Sequence, residues 1–332
     1  MRQDVIARQV RVMKKAGLDA LVSISPENFA YLTGFLSPTQ PLMRWRHAMA
    51  LVTADGAIAL VVVDMEASTV RARSPAGTKI AVWHEFKFDA MSVLAAVLRE
   101  HGLGEARVGI EMDYLPAGDL AALSQLLPQA RFTAAQAVLA RLREIKTAEE
   151  IGILRRLSRI ADKAITDAYR SVRAGSSEMD LAAALTRGVY EQGAEYFKLM
   201  IVATGERSVF PNVGPTSRVL KPGDICRVEI FPIIGGYHAG VCRTAAVGAP
   251  PSEAERIWAN SPRANTCYWT RSTQARRAEP STSSTSRRSE SLACRRSPSS
   301  ATASVYTCTK TLTSAPPKTG RWKQEWCSAS SR

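Results

Sequence analysis

Between residues 223 and 248 the chain reads GDICRVEIFPIIGGYHAGVCRTAAVG. Four side chains in it can do chemistry: Glu229, Tyr237, His238 and Arg243. A histidine changes charge near neutral pH and can act as general acid or base. A carboxylate can steady it, and an arginine can hold an anion or that carboxylate. Gly235-Gly236 stands between two apolar runs as a hairpin turn signal, so these groups belong to two adjoining strands. Alternation puts Glu229, Phe231 and Ile233 on one strand face, and His238 with Gly240 on one face of the next. A Glu229–His238 pair is one arrangement this allows. The competing roles are structural: a paired carboxylate, a satisfied strand histidine, a packed tyrosine and a salt-bridged arginine.

Further polar candidates lie outside the hairpin. Asn212 falls in the loop before it, where Asn is also a common turn residue. Arg44, Arg46 and His47 surround Trp45 in a basic loop. We take His238, Glu229 and Arg243 as candidate catalytic residues, and Tyr237, Asn212 and Arg44 as candidate substrate-binding residues. His84 and His101 read as structural.

Alternating strand and helix signals must position these groups. A helix is expected over 4–16, with Ile6, Val10 and Met13 on one face. A buried strand follows at 19–24, then a turn at Pro26-Glu27-Asn28. Residues 48–65 read as a hairpin turning at Asp55-Gly56. Strands at IAVWHEF and RVGIEMD alternate with helices over 88–101 and 116–126. This pattern fits an α/β domain over 1–135. Residues 138–174 carry a long helical pattern, with Thr147 as an N-cap, Glu149 and Glu150 in the first turn and an apolar stripe through Leu154, Leu157, Ile160 and Ala161. A helix over 178–192, a strand over 197–205 and a helix opening at Ser252 complete a second domain over 136–260.

The net charge of +14 would ordinarily point to nucleic acid. Residues 261–332 hold 13 Lys/Arg against 3 Asp/Glu, so +10 of it lies there. That segment has 27 Ser/Thr and only Leu292, Val305 and Leu312 among Ile, Leu, Val and Phe. It cannot bury enough apolar surface to offset its ordering entropy, so the simple expectation is a disordered basic tail. Four of the six Cys lie in it, at spacings that match no metal pattern and no disulfide framework. No apolar run reaches the roughly 18 residues of a membrane span, and the first residues do not form a signal peptide, so a cytoplasmic location is expected.

Several motifs coincide with one family. NFAYLTGF (28–35), LREIKTAEEIGILRRLSRIADKA (142–164), RVLKPGD (218–224) and GGYHAGVCRT (235–244) together resemble the creatinase/aminopeptidase P/prolidase family. The resemblance implies a creatinase-like α/β N-terminal domain followed by an α+β pita-bread catalytic domain. It also implies a homodimer and hydrolysis of a C–N bond, in an Xaa-Pro peptide or a small nitrogen compound. N-terminal loops in this family can reach a partner subunit's site, which is the reason for including Arg44. In metal-dependent members, two Asp of this hairpin ligate a pair of divalent ions such as Mn or Zn, with a His and two Glu from later segments. The positions matching those Asp carry Glu229 and Gly240, and glycine has no ligand atom. FPIIGGYHAGVCRT (231–244) is more similar to creatinase and other metal-independent relatives, so no metal is expected here. The acid/base His of creatinase matches Asn212, so creatinase activity itself is not implied; His238 is the remaining histidine near the site. Two other readings stay open: a metal-dependent Xaa-Pro aminopeptidase or dipeptidase despite Gly240, and a non-catalytic binding protein with a basic tail.

The family's later motifs are absent as protein, but a shifted frame restores them. Each new codon takes the last base of one codon and the first two of the next. Residues 301–317, ATASVYTCTKTLTSAPP, can then encode HGIGVHLHEDPYLGAT, and residues 321–332, RWKQEWCSASSR, can encode TLEAGMVLGIEP. The single Trp codon forces Glu over Lys323 and Val over Cys327. We therefore read 261–332 as frameshifted, with the shift near residues 260–265. The pita-bread domain is then incomplete, its basic tail is a by-product of the shift, and nucleic acid is not an expected partner.

Overall fold

A computed structural model describes residues 2–260, so the tail expectations lie outside the described residues. The chain divides into two compact units: Met1–Ile153 with Ile234–Tyr237, and Leu154–Ile233 with the chain from His238 onward.

The first unit is built on short strands, of which the central β1, β2 and β3 are predominantly apolar and buried along nearly their whole length. In chain order it contains α1 (Gln3–Lys15), β1 (Ala20–Ser23), α2 (Pro26–Thr33), β2 (Met49–Thr53), β3 (Ile58–Val63), α3 (Ala67–Arg73), β4 (Lys79–Trp83), α4 (Ala90–Glu100), β5 (Arg107–Ile110), α5 (Ala117–Leu126), β6 (Arg131–Ala134), α6 (Gln136–Glu144) and the start of α7 (Ala148–Ser171). The six strands form one mixed sheet in the order β4-β3-β2-β1-β5-β6. Alternate residues serve two cores, as burial on both faces requires. Val22, Met49, Val61 and Trp83 pack with Leu94, Leu98 and Leu123, while Leu21, Ala50, Val52 and Leu60 pack with Val5, Met13, Phe29, Leu32, Leu139 and Leu142.

Local chemistry explains where the structure departs from the sequence expectations. Pro26-Glu27-Asn28 begins a helix, not a turn. Ser25 accepts from the Asn28 N–H at 3.2 Å and Pro26 occupies the first turn, where its missing N–H costs nothing. The pattern over 138–174 is two helices, because Thr147 caps α7 as anticipated. Its Oγ1 accepts from the Glu150 N–H at 3.2 Å, and Glu150 Oε2 accepts from the Thr147 N–H at 2.6 Å, a capping box.

The second unit continues from α7 with α8 (Glu178–Glu191), β7 (Tyr196–Thr204), β8 (Ile225–Ile234) and β10 (Val241–Ala246), with the two-residue β9 (Tyr237–His238) paired to β8. The sheet is antiparallel, in the order β10-β8-β7. Burial along β8 alternates strictly over its first eight residues. Cys226, Val228 and Ile230 are fully buried, as are Leu157, Ala161, Ala164 and Tyr169 of α7 and Leu181, Leu185 and Val189 of α8. Gly188 lets the two helices approach closely, since a Cβ there would lie 3.1 Å from that of Ala164. The Tyr169 hydroxyl donates to the backbone oxygen of Arg243 at 2.8 Å, tying the helix to the sheet. Residues 252–260 are helical, as expected from Ser252.

Candidate functional site

The hairpin register decides which side chains share a face. In the β8–β10 ladder Glu229 stands opposite Cys242, and Val228 opposite Arg243. Paired residues project to the same side. Arg243 therefore lies on the buried, helix-covered face, away from Glu229. It is 7% exposed, forms an ion pair with Asp162 of α7 at 2.7 Å and donates to the Cys242 carbonyl at 2.8 Å. The sheet keeps Arg243 from orienting Glu229, because the two project to opposite sides.

The other face of β8 is half-exposed and carries Arg227, Glu229 and Phe231. Among the described residues nothing hydrogen-bonds the Glu229 carboxylate. Burial pushes its pKa up against the opposing charge of Arg227. The same cause pushes the Cys242 thiol to about 11, with the facing Glu229 adding to it. Arg227 itself reaches sideways to the Phe210 and Pro211 carbonyls, the latter at 2.8 Å, and so fixes the loop that presents the exposed Asn212.

One step nearer the turn, Gly240 faces Phe231. A Cβ built on Gly240 would sit 2.1 Å from Phe231 Cε1. The Phe231 ring also neighbours His238, with centroids 6.4 Å apart and planes tilted by 54°. The open face thus runs Glu229 with Cys242, then Phe231 with Gly240, then His238. Glu229 and His238 share the face, but Phe231, packed beside Gly240, stands between them, so the register does not make the direct pair that alternation allowed.

The loop before the hairpin is held by a buried hub. Glu178, 0% exposed, accepts from the Thr204 N–H and Oγ1 at 2.9 and 2.8 Å and from the Thr216 N–H and Oγ1 at 2.9 and 2.7 Å. Arg207 completes the set. Arg218 adds a second clamp, bonding Glu206 at 2.6 Å and Asp224; its hydrogen bonds pull Glu206 down to about 2.

Two candidates lie in the first unit. Tyr237, in the hairpin crown, donates to Glu150 Oε1 at 2.8 Å and is contacted by Arg2. Burial, reinforced by Glu150, raises its pKa. Burial alone would raise the Glu150 pKa, but hydrogen bonds from Thr147 and Tyr237 hold it low. Arg44 is exposed, donates to the Tyr114 carbonyl at 3.0 Å and lies 5.3 Å from the Tyr114 ring centroid. Its neighbours are committed to structure: Arg46 pairs with Glu85 at 2.7 Å, and His47 is buried against Asp119 at 2.8 Å.

Cys242, Arg227 and Phe231 are the site neighbours that residue types alone did not mark. The turn could have found them. Counting outward from Gly235 and Gly236 as the two central residues pairs 229 with 242 and 231 with 240.

Residues 6–145 match the Creatinase/Prolidase N-terminal domain, and residues 152–266 match Metallopeptidase family M24. The probable dipeptidase PepE of Mycobacterium tuberculosis is 29% identical over 254 residues, covering 75% of this chain and 64% of the relative. The creatinase of Bacillus sp. is 26% identical over 269 residues, covering 77% and 64%. The solved Xaa-Pro dipeptidase from Bacillus anthracis shares the fold, with a TM-score of 0.65 at 23% identity over 79% of this chain and 69% of that one. The chain spans less than two thirds of the length of these curated relatives. Among the described residues no helix is long and apolar enough to cross a membrane.

Family M24 generally implies divalent metal, and the hairpin donors do not fit one. Position 240 offers no ligand atom, and the Phe231 ring fills the space a side chain there would need. Among the described residues no three His, Cys, Asp or Glu side chains are grouped as an ion would require.

Proposed function

From the premise that this chain belongs to the creatinase/prolidase family, with a creatinase-type N-terminal domain and an M24 segment, we propose that it derives from a hydrolase of C–N bonds working without a hairpin-bound metal. The substrate is a small nitrogen compound or an Xaa-Pro peptide. The observation that carries the reading is the open face of β8. There Glu229, raised by burial and free of hydrogen bonds among the described residues, shares a surface with His238. A carboxyl poised above its ordinary range can hold a proton for a leaving nitrogen, and an imidazole can take one from attacking water. Phe231 supplies an apolar wall between them, and the Arg227-held loop with Asn212 forms the rim. Arg243 and Tyr237 act as positioning residues, one holding β10 to α7 and the other fixing the crown. A homodimer and a cytoplasmic location accompany this reading.

The chain as written is proposed to be inactive, because the family's later His and Glu segments are encoded over 261–332 only in the shifted frame. Sequencing the gene across codons 255–270 and assaying both forms tests this. The 332-residue chain is expected to hydrolyse neither Xaa-Pro dipeptides nor creatine-like guanidino compounds, and a frame-restored chain is expected to gain turnover. Robust turnover by the chain ending at Arg332 would overturn it. The second reading, a metal-dependent Xaa-Pro dipeptidase, is favoured by the names of the relatives; it requires chelation to abolish the restored activity.

A further inference from the structure

The metal mismatch has a second half that the glycine alone does not reveal. We propose that Phe231 and Gly240 are a coupled pair, in which the phenyl ring occupies the volume of the missing side chain and closes the position to an ion-binding carboxylate. This rests on the metal-free reading above and names the residue that enforces it. The backbone at Gly240 is not in the left-handed region, so an L-residue there meets no conformational penalty. What it meets is the ring, with Phe231 Cε1, Cζ and Cδ1 at 2.1, 2.5 and 2.7 Å from an ideal Cβ. Distances this short cannot be sustained, so the ring or strand must move. Two residues along β8, Glu229 is paired with Cys242 in the β8–β10 ladder, so the obstruction lies just beyond the end of that ladder. Reversing the glycine alone, even to aspartate, therefore seats a second carboxylate only if the Phe231 ring is displaced.

The test is a thermal double-mutant cycle on the full chain with G240A, F231A and F231A/G240A. G240A adds only the methyl group and so isolates the steric effect from charge. Replacing a glycine by alanine where the backbone permits it ordinarily leaves stability unchanged or improved. Here G240A is expected to lower Tm by about 4 °C or more in the presence of Phe231, and to be neutral or stabilising in the F231A background. An effect of G240A that is the same in both backgrounds would overturn the coupling. A parallel Mn2+ titration by calorimetry is expected to give identical curves for the wild-type and E229Q chains. Stoichiometric Mn2+ uptake that E229Q abolishes would overturn the closure. Neither readout depends on turnover. An additive cycle with metal-independent activity in the frame-restored chain would remove this inference and leave the functional reading standing.

Discussion

Glu178 and Glu229 belong to the same unit and have opposite surroundings. Glu178 is wholly buried and receives two backbone N–H groups, two threonine hydroxyls and an arginine. Glu229 is half-buried and receives no hydrogen bond among the described residues, and its neighbouring cation cannot cancel the cost of burial. A saturated carboxylate has spent its bonding capacity on the fold. An unsaturated one in a low-dielectric setting keeps its capacity for a ligand or a proton. On this contrast Glu178 is architecture, although a search for buried acids would find it first. The sharpest way to break the contrast is Glu178→Gln. It leaves Arg207 without its charge partner and puts an amide against donors, which costs about 3 kcal/mol by the usual behaviour of broken buried pairs. That is a fall in Tm on the order of 10 °C or more. Hydrogen exchange is expected to accelerate selectively over 204–216. A Glu178→Gln variant as stable as wild type would remove the architectural half of the comparison.

Glu150 stands between these extremes. It accepts from the Thr147 N–H and the Tyr237 hydroxyl, with Arg2 at 3.4 Å. Tyr237→Phe removes one bond to a charged group, worth about 1.5–2 kcal/mol. The remaining donors keep the loss below that of Glu178→Gln. Because Glu150 is held below its ordinary range, its contribution is present above the unfolded pKa and fades as pH falls through the folded one. The Tyr237→Phe deficit in urea unfolding is therefore expected at pH 7 and to shrink in acid. A deficit that is independent of pH would assign Tyr237 to packing alone.

Much of this is legible in the sequence. The apolar runs of β1 to β3, the Thr147 cap and the Gly235-Gly236 turn declare themselves through local chemistry. Glu229 and His238 stand out by type and are then separated by register, which the two-residue turn already encodes but which residue matching does not use. Arg243 shows the opposite limit. Its motif position implies function, while its side depends on a parity count from the turn, and its partner Asp162 lies on a helix 81 residues earlier. The hub at Glu178 is invisible for the same reason, since its donors come from Thr204, Arg207 and Thr216, and no local pattern ties them together. Buried polar networks are assembled by tertiary packing, so sequence periodicity reports the strands that carry them but not the bonds.

The smallest expected effect is the most discriminating, because its sign opposes that at Glu178. Burial raises the folded-state pKa of Glu229. The unfolded chain therefore releases that proton first as pH rises, near the ordinary glutamate value of about 4.3. Stability associated with protonated Glu229 is full below that value and is lost as pH climbs through the folded pKa. Glutamine at this position cannot ionise and avoids the loss. Glu229→Gln is thus expected to unfold at a slightly higher temperature than wild type at pH 7 to 8, with the difference closing as pH falls toward 4. If Glu229 were instead a structural carboxylate held by further donors, the substitution would lower Tm at neutral pH, as at Glu178. A stabilising substitution at a position matching an ion-binding carboxylate is what a site selected for proton handling predicts, since activity there is maintained against a cost in stability.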